Sequence, residues 1–293
     1  MKKVLLTGVN GFTGKYVAEE LCAQGYKVVG LVYENPKEGE ITCDLTDKHQ
    51  VTECLKKVKP DYIVHLAALS FVGHANQKAF YDVNVFGATN LLESAKELKL
   101  SLDKVVLASS ANIYGNPKGV EKISEEVLPS PVNHYAMSKL AMEHMAKLWF
   151  DDFPIIITRP FNYTGPGQAE HFLIPKIVSH FKRGEDMLEL GNIDVSRDFT
   201  DVRDIAKAYV HLLNSDVHSE IVNLCSGNVH SLASIISMME KIAGYSINVV
   251  VNPEFVRANE IKVLGGDNCK LKSLTGFSPS ITLDKTLDDM YQV

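Results

Sequence analysis

Basic clusters are missing from this chain of 293 residues, although it contains 30 Lys and Arg residues. No run of five or six basic residues occurs, and the formal net charge is −6. An acidic chain without a basic cluster is poorly suited to binding nucleic acid, so we expect no nucleic-acid partner. An anionic ligand would have to be held by a few local charges.

Paired cysteines and long apolar runs are also missing. The five cysteines form no CxxC pair, so we expect neither a disulfide framework nor a metal site, and we expect a cytoplasmic protein. The apolar run Val4 to Leu6 follows Lys2 and Lys3 but stops at Thr7, which is too short for a signal peptide. No stretch approaches the roughly 20 apolar residues that a membrane span needs, so we expect no membrane partner.

The chain does contain a strong motif at its start. An apolar run is followed by Gly8, Gly11 and Gly14, and then by apolar residues at helical spacing. A strand, a glycine turn and a helix in this order are typical of a site where backbone N–H groups bind a pyrophosphate. An ordinary glycine-rich turn is the alternative, but a second apolar strand, Val28 to Val32, follows as expected for dinucleotide binding.

Strand and helix patterns alternate five times up to Asn162, and the pattern then becomes irregular. We therefore predict an α/β fold: a Rossmann-type doubly wound parallel sheet with a smaller interleaved C-terminal substrate lobe. Residues 1–162 with 199–227 would form the dinucleotide-binding domain, and 163–198 with 228–293 the substrate lobe. Two of the predicted helices are Phe80 to Leu98 and Tyr135 to Phe150.

Asp44 ends a short apolar strand at the edge where an adenine would lie. Its carboxylate can accept a hydrogen bond from the adenine amino group. Equally, Asp44 can cap the helix that begins near Asp47, and the sequence leaves both interpretations open.

Tyr135 and Lys139 lie four residues apart at the start of a predicted helix, so both project from one face. A neighbouring ammonium favours the phenolate, so we expect Lys139 to lower the pKa of Tyr135. Ser110, at the end of the fifth strand, can bind the same carbonyl oxygen. A tyrosine and a lysine at this spacing are usually surface residues, but their order after the glycine turn and the serine favours catalysis.

The motifs TGVNGFTG, DLTD, HLAA, SSANIYG, YAMSK and RPFN resemble the extended short-chain dehydrogenase/reductases that act on nucleotide-activated sugars. This resemblance covers essentially the whole chain. The segments RPFNYTGPGQ, LGNIDVSRDFTDVRD, NLCSG and VRANE resemble the branch that contains GDP-4-dehydro-6-deoxy-D-mannose reductase.

The resemblance implies roles for individual residues. The catalytic residues would be Ser110, Tyr135 and Lys139. The residues implied to bind the dinucleotide are Gly8, Gly11, Phe12, Thr13, Gly14, Asp44, Leu45, Leu66, Ala67, Ala68, Tyr135, Lys139 and Pro160. Those implied to bind a nucleotide-diphosphate sugar are Ser70, Asn112, Asn162, Lys176, Arg197, Arg257 and Glu260.

Several of these assignments have alternatives. The guanidinium groups of Arg197 and Arg257 suit a diphosphate, although Arg197 can instead pair with Asp198. Glu260 can accept from a ribose diol or remain an exposed structural residue. Asn84 would brace the catalytic lysine or pack between helices.

The cofactor is expected to be NADP(H) or NAD(H). NAD-binding relatives often carry an acid at the end of the second strand, whereas NADP-binding relatives carry Arg or Lys. This chain has Val32, Tyr33 and Glu34 there, with Lys37 just beyond. The residues leave the choice open, and we favour NADPH slightly.

The resemblance implies reduction of the 4-keto group of a nucleotide-linked 4-keto-6-deoxyhexose. Dehydratases of this family carry a Glu at the position of Asn112, and an amide cannot act as that base. Glu121 or Glu125 would have to replace it. The alternatives are a UDP-hexose 4-epimerase and a non-catalytic NAD(P)-sensing regulator, although the Tyr and Lys pair disfavours the regulator.

We also expect a homodimer. The two helices Phe80 to Leu98 and Tyr135 to Phe150 carry apolar residues beyond one face, including Met142, Met145 and Trp149. Relatives commonly pair these helices across a dimer interface.

Overall fold

A computed structural model describes residues 1–70, 75–117, 119–256 and 262–293. In this part of the chain the strands are β1 (Lys3–Thr7), β2 (Lys27–Val32), β3 (Glu40–Thr42), β4 (Tyr62–His65), β5 (Lys104–Ala108), β6 (Ile155–Pro160), β7 (Asn162–Thr164), β8 (Met187–Leu190), β9 (Ser196–Asp201), β10 (Glu220–Leu224), β11 (Val229–Ser231), β12 (Asn248–Val251) and β13 (Val263–Leu264). The α-helices are α1 (Phe12–Ala23), α2 (Lys48–Val58), α3 (Gln77–Tyr81), α4 (Gly87–Glu97), α5 (His134–Ala146), α6 (Leu173–Lys182), α7 (Val202–Asn214), α8 (Leu232–Ala243), α9 (Cys269–Thr275) and α10 (Leu283–Gln292).

Seven strands form a parallel sheet in the order β10-β6-β5-β4-β1-β2-β3. The order reverses direction between β1 and β4, which is the switch point where open α/β sheets bind ligands. The predicted Rossmann-type parallel sheet is therefore confirmed.

Along each strand of this sheet, successive side chains point to opposite faces. In β1, Leu5 packs into a core with α2, α4 and α5, while Val4 and Leu6 pack into the opposite core with α1 and α7. All three side chains are fully buried. Full burial of one such side chain stabilises the fold by about 1.5–3 kcal/mol, so packing against the two helical layers contributes strongly to the stability of the sheet.

A separate apolar core lies in the C-terminal half. It joins α6, β8, α8 and α10 through side chains such as Ile177, Leu188, Met239 and Leu287. Strand β9 pairs with β7, β11 and β13 in a small sheet, and β8 pairs with β12. These elements contain most of the predicted substrate lobe, whose exact boundaries stay a prediction.

The predicted helix Phe80 to Leu98 differs from the structure. It is divided into α3 and α4 by a π-helical turn, Asp82–Phe86, which contains the buried Asn84. The predicted helix Tyr135 to Phe150 also ends early, because α5 passes into a 3-10 turn at Lys147–Trp149. A π turn leaves no mark in hydrophobic spacing and so escapes prediction.

The apolar residues invoked for a dimer are placed differently from our expectation. Met142 is fully buried in the core, and Met145 and Trp149 pack against it. The apolar side chains that reach solvent near these helices are instead Phe86, Met137 and Leu148. In the described residues, no helix has both the length and the apolar character to cross a bilayer.

Candidate active site

A cavity of about 2270 Å³ opens at the carboxyl ends of the sheet strands, between the sheet and the C-terminal apolar core. Cavities that hold one small ligand typically measure about 300–1,000 Å³, so this one has room for a cofactor and a substrate together. Every predicted site residue that the structure describes lines it. Arg257 and Glu260 lie outside the described residues.

The glycine turn forms one wall of this cavity. Gly8 has a φ of +72°, which favours glycine, and a Cβ on Gly14 would lie 2.1 Å from the Gly8 carbonyl oxygen. Gly11 occupies the cap position of α1 and has no side chain that could cover the first N–H groups of the helix. A pyrophosphate therefore fits against this helix start.

Ser109 lies near the centre of the same edge, directly after β5. The residue lines the cavity, and its hydroxyl oxygen is buried and has no hydrogen-bond partner within the described residues. A buried polar atom without a partner is costly, so this hydroxyl is suited to a bound ligand. Together with the glycine turn it fits a dinucleotide cofactor.

Asp44 lines the cavity beside β3 but does not cap the following helix. Its Oδ1 accepts hydrogen bonds from the Thr46 backbone N–H at 2.9 Å and from the Thr46 hydroxyl at 2.7 Å. Asp47 instead caps α2, accepting from the backbone of His49 and Gln50. The capping alternative for Asp44 is therefore wrong.

Ser110, Tyr135 and Lys139 come together at the end of β5. Asn133 caps α5 by accepting from the backbone N–H of Ala136 at 2.8 Å, which fixes the first turn that carries Tyr135. Lys139 donates from Nζ to the Ala108 carbonyl oxygen at 2.7 Å. Ser110 accepts from the Asn112 backbone N–H at 3.2 Å, so its own proton can be directed to a ligand.

Burial shifts the pKa values of both Tyr135 and Lys139. It raises the pKa of Tyr135 to about 12, against the opposing effect of the neighbouring Ser110 hydroxyl. It also lowers the pKa of Lys139 to about 8, while the Glu143 carboxylate acts in the opposite direction. The expected lowering of the Tyr135 pKa is not found in the free protein, because the loss of water outweighs the hydrogen bond with Ser110.

These pKa values predict a pH dependence. With the predicted roles, reduction needs a protonated Tyr135 as acid and a charged Lys139. Tyr135 keeps its proton up to about pH 12, whereas Lys139 loses its charge above about pH 8. We expect kcat/KM for the cofactor, measured in the direction of reduction, to be level below pH 8 and to fall about tenfold per unit above it. A constant value up to pH 10, with the fold intact by circular dichroism, would contradict this assignment.

A buried ion pair lies behind the catalytic helix. Arg159, on β6, donates from Nε and Nη2 to the Glu143 carboxylate at 3.0 and 2.7 Å, and from Nη1 to the Tyr114 hydroxyl at 2.9 Å. The Tyr114 hydroxyl donates to Asn223 Oδ1 at 2.8 Å. This network joins α5 to the turn after Ser110 and to β10, and the sequence analysis did not predict it.

The cavity lining also contains the predicted substrate residues Ser70, Asn112, Asn162, Lys176 and Arg197. Lys176 donates to the Glu189 carbonyl oxygen at 2.7 Å and lies 4.4 Å from the centre of the Phe255 ring. Arg197 is buried and donates to the carbonyl oxygens of Ser196 and Lys262.

Two alternatives from the sequence are resolved here. The carboxylate of Asp198 accepts hydrogen bonds from Ser226 and Gly227, so it faces the loop after β10 and not Arg197. Asn84 bonds to both backbone groups of Leu69 and to the Ser138 hydroxyl. Asn84 therefore joins the loop after β4 to α5, which supports its packing role.

Tyr163 is a cavity residue that the sequence analysis missed. Its ring stacks on Phe12, with centres 6.2 Å apart, and its hydroxyl forms a 2.7 Å hydrogen bond with Thr13. It thereby braces the start of α1. Its position directly after Asn162 in the RPFN motif was the one available indication.

The family described as GDP-mannose 4,6 dehydratase matches residues 5–290. The chain belongs to this family. The predicted family, an enzyme of the oxidoreductase class and NAD(P)(H) as the cofactor are confirmed by this match and by the relatives described next.

Two curated relatives of the family are similar over nearly their whole length. The GDP-6-deoxy-D-talose 4-dehydrogenase of Aggregatibacter actinomycetemcomitans is 37% identical, over 99% of this chain and 97% of the relative. The GDP-6-deoxy-D-mannose reductase of Pseudomonas aeruginosa PAO1 is 31% identical, over 98% of this chain and 95% of the relative.

Two solved structures have the same fold as this chain. RMD from Pseudomonas aeruginosa, solved with NADPH, has a TM-score of 0.88 and 30% identity, covering 100% of this chain and 98% of that one. A protein from Burkholderia cenocepacia J2315 is described provisionally as an epimerase. It has a TM-score of 0.93 and 43% identity, covering 99% of this chain and 97% of that one.

Proposed function

We propose that this enzyme reduces the 4-keto group of a GDP-linked 4-keto-6-deoxyhexose to a GDP-6-deoxyhexose. The observation that carries the proposal is the meeting of Ser110, Tyr135 and Lys139 in a cavity large enough for a dinucleotide and a nucleotide sugar. Both curated relatives have names that describe oxidation or reduction of a GDP-6-deoxyhexose, which supports this substrate class.

In the proposed reaction the bound dinucleotide supplies a hydride. Ser110 donates a hydrogen bond to the C4 carbonyl oxygen and holds it near Tyr135. The Tyr135 phenol gives its proton to the alkoxide that develops on this oxygen. The Lys139 ammonium would bind the nicotinamide ribose and would stabilise the phenolate that remains.

Reduction is favoured over dehydration by the residues beside Ser110. A 4,6-dehydratase must remove the C5 proton with a base, but Asn112 lines the cavity there with an uncharged amide. Glu125 does not replace it, because its carboxylate accepts from the Asn223 backbone N–H at 2.7 Å, and neither Glu121 nor Glu125 lines the cavity.

The substrate diphosphate would bind beside Arg197 and Lys176, which are basic residues that line the cavity from β9 and α6. A guanidinium can donate two parallel hydrogen bonds to phosphate oxygens. We assign residues 163–198 with 228–293 to this lobe, and Asn162 to its border.

We also propose a homodimer that pairs α4 and α5 with their copies. Phe86, Met137 and Leu148 present apolar surface there, with 56%, 44% and 75% of each residue exposed. Light scattering at micromolar concentration should give about twice the mass of the 32.4 kDa chain. A monomer at that concentration would contradict the proposal.

The function is tested with two substrates. We expect consumption of reduced cofactor with GDP-4-dehydro-6-deoxy-D-mannose and formation of a GDP-6-deoxyhexose. We expect no 4-keto product from GDP-mannose with NAD⁺ or NADP⁺. Formation of that product would contradict the proposed function as a reductase.

A UDP-hexose 4-epimerase is the second candidate, since one similar structure is provisionally described as an epimerase. An epimerase would interconvert UDP-glucose and UDP-galactose without net consumption of cofactor. It would also retain NAD through purification, which a spectrum of the purified protein reveals.

A further inference from the structure

A short segment joins the proposed substrate side of the cavity to the start of α1. This segment, residues 162–167, is called the β7 loop here because it begins with β7. β7 pairs in parallel with β9 through Asn162 and Phe199. β9 also contains Arg197, so two predicted substrate residues, Asn162 and Arg197, belong to one small sheet. A contact that fixes β7 therefore acts on the residues proposed to bind the nucleotide sugar.

Tyr163 connects the β7 loop to the helix that follows the glycine turn. Its hydroxyl forms a 2.7 Å hydrogen bond with the Thr13 hydroxyl, in the first turn of α1. Its ring stacks on Phe12 at an interplanar angle of 9°. Phe12 and Thr13 lie among the glycines where a pyrophosphate would bind. Tyr163 thus contacts two predicted cofactor residues and directly follows Asn162, a predicted substrate residue.

Further contacts hold the β7 loop closely against α1 and α7. The Tyr16 hydroxyl, one turn further along α1, donates to the Pro166 carbonyl oxygen at 2.8 Å. A Cβ added to Gly165 would lie 2.6 Å from Val202 Cγ1, so the loop backbone lies directly on the start of α7. The two helices share one apolar core. Because the packing is this close, a displacement of the start of α1 would also displace the loop.

From these contacts we infer that Tyr163 couples the two ligand sites, so that bound cofactor and bound nucleotide sugar each increase the affinity for the other. A pyrophosphate on the first N–H groups of α1 fixes the start of this helix, and Tyr163 transmits the order to Asn162. The second ligand then meets a site that is already ordered and loses less conformational entropy on binding. Tyr163 is therefore a positioning residue. The inference rests on the proposed function in its choice of a GDP-linked sugar.

Calorimetric titration with a nucleotide sugar that cannot be reduced measures the coupling without turnover. GDP-mannose has no keto group, so it can be titrated into the protein alone and into protein saturated with NADH or NADPH. We expect its Kd to fall at least about fivefold when the cofactor is bound, which is the lower end of typical couplings between sites. Titration of the cofactor with and without GDP-mannose should give the same factor, because such coupling is reciprocal.

Two substitutions remove the hydrogen bond from either side. Tyr163→Phe keeps the ring that stacks on Phe12, and Thr13→Val keeps the shape of the threonine side chain. Each should reduce the coupling to less than about twofold, and the double variant should lose no more than either single variant, because both remove the same contact. A merely structural role would change the two affinities without changing the factor by which one ligand affects the other.

Tyr245→Phe is the matched control, because it removes the same group from a tyrosine that bonds to the Phe181 carbonyl oxygen on α6. Its coupling factor should equal that of the unchanged protein. A Kd for GDP-mannose that does not respond to cofactor would overturn the inference but not the proposed function, and so would full coupling in Tyr163→Phe. If GDP-mannose failed to bind with or without cofactor, the inference and the proposed GDP-linked substrate would both be wrong.

Discussion

Tyr135→Phe is expected to lower kcat for reduction by about 10²–10⁴-fold, the usual contribution of a positioned general acid. The phenol is buried at the start of α5 beside the Ser110 hydroxyl, and its pKa of about 12 keeps the proton in place until the alkoxide forms. Phenylalanine fills the same space, so we expect cofactor affinity to change less than twofold. Steady-state kinetics and cofactor titration measure the two quantities separately.

A matched variant controls for the loss of a tyrosine hydroxyl. Tyr245 donates to the Phe181 carbonyl oxygen at 2.9 Å, outside the cavity lining. Tyr245→Phe should therefore leave kcat unchanged. An equal loss of rate and cofactor affinity in Tyr135→Phe would show that the residue supports binding and does not donate the proton.

Breaking the buried ion pair behind α5 is expected to have the largest effect on stability. Glu143 and Arg159 are 1% and 4% exposed in their side chains, and two hydrogen bonds join them. Glu143→Gln leaves the Arg159 guanidinium buried without a counter-charge, which typically costs about 3–5 kcal/mol of unfolding free energy. Urea denaturation measures this loss.

The exposed pair of Lys96 and Asp152 provides the comparison. Its N to O distance is also 2.7 Å, but its side chains are 58% and 31% exposed. Asp152→Asn should cost less than about 1 kcal/mol, because water screens both charges. Similar losses in the two variants would mean that the Arg159 site is hydrated, contrary to the packing described above.

The sequence predicted the sheet well because each strand and helix leaves its own pattern of apolar spacing. The predicted strand Val28 to Val32 matches β2 closely, and all the described site residues line one cavity. Most of these residues follow strand ends or lie near the start of a helix, and parallel strands bring such positions to one edge.

The missed features depend on contacts between distant segments. Arg159 and Glu143 are sixteen residues apart on different elements, and nothing local marks them as partners. The raised pKa of Tyr135 depends on burial by the whole fold. Lys37 and Glu34 are nearly adjacent in sequence, but only Glu34 lines the cavity.

Transfer of a deuterium label tests the central claim most directly. The enzyme would be given GDP-4-dehydro-6-deoxy-D-mannose together with NADH or NADPH deuterated at nicotinamide C4. Each of the two diastereomers would be used in turn, and the product would be examined by NMR. We predict that one diastereomer delivers deuterium to C4 of a GDP-6-deoxyhexose and that the other delivers none. Deuterium at another carbon, or product formed while both labels stay on the nucleotide, would contradict reduction at C4.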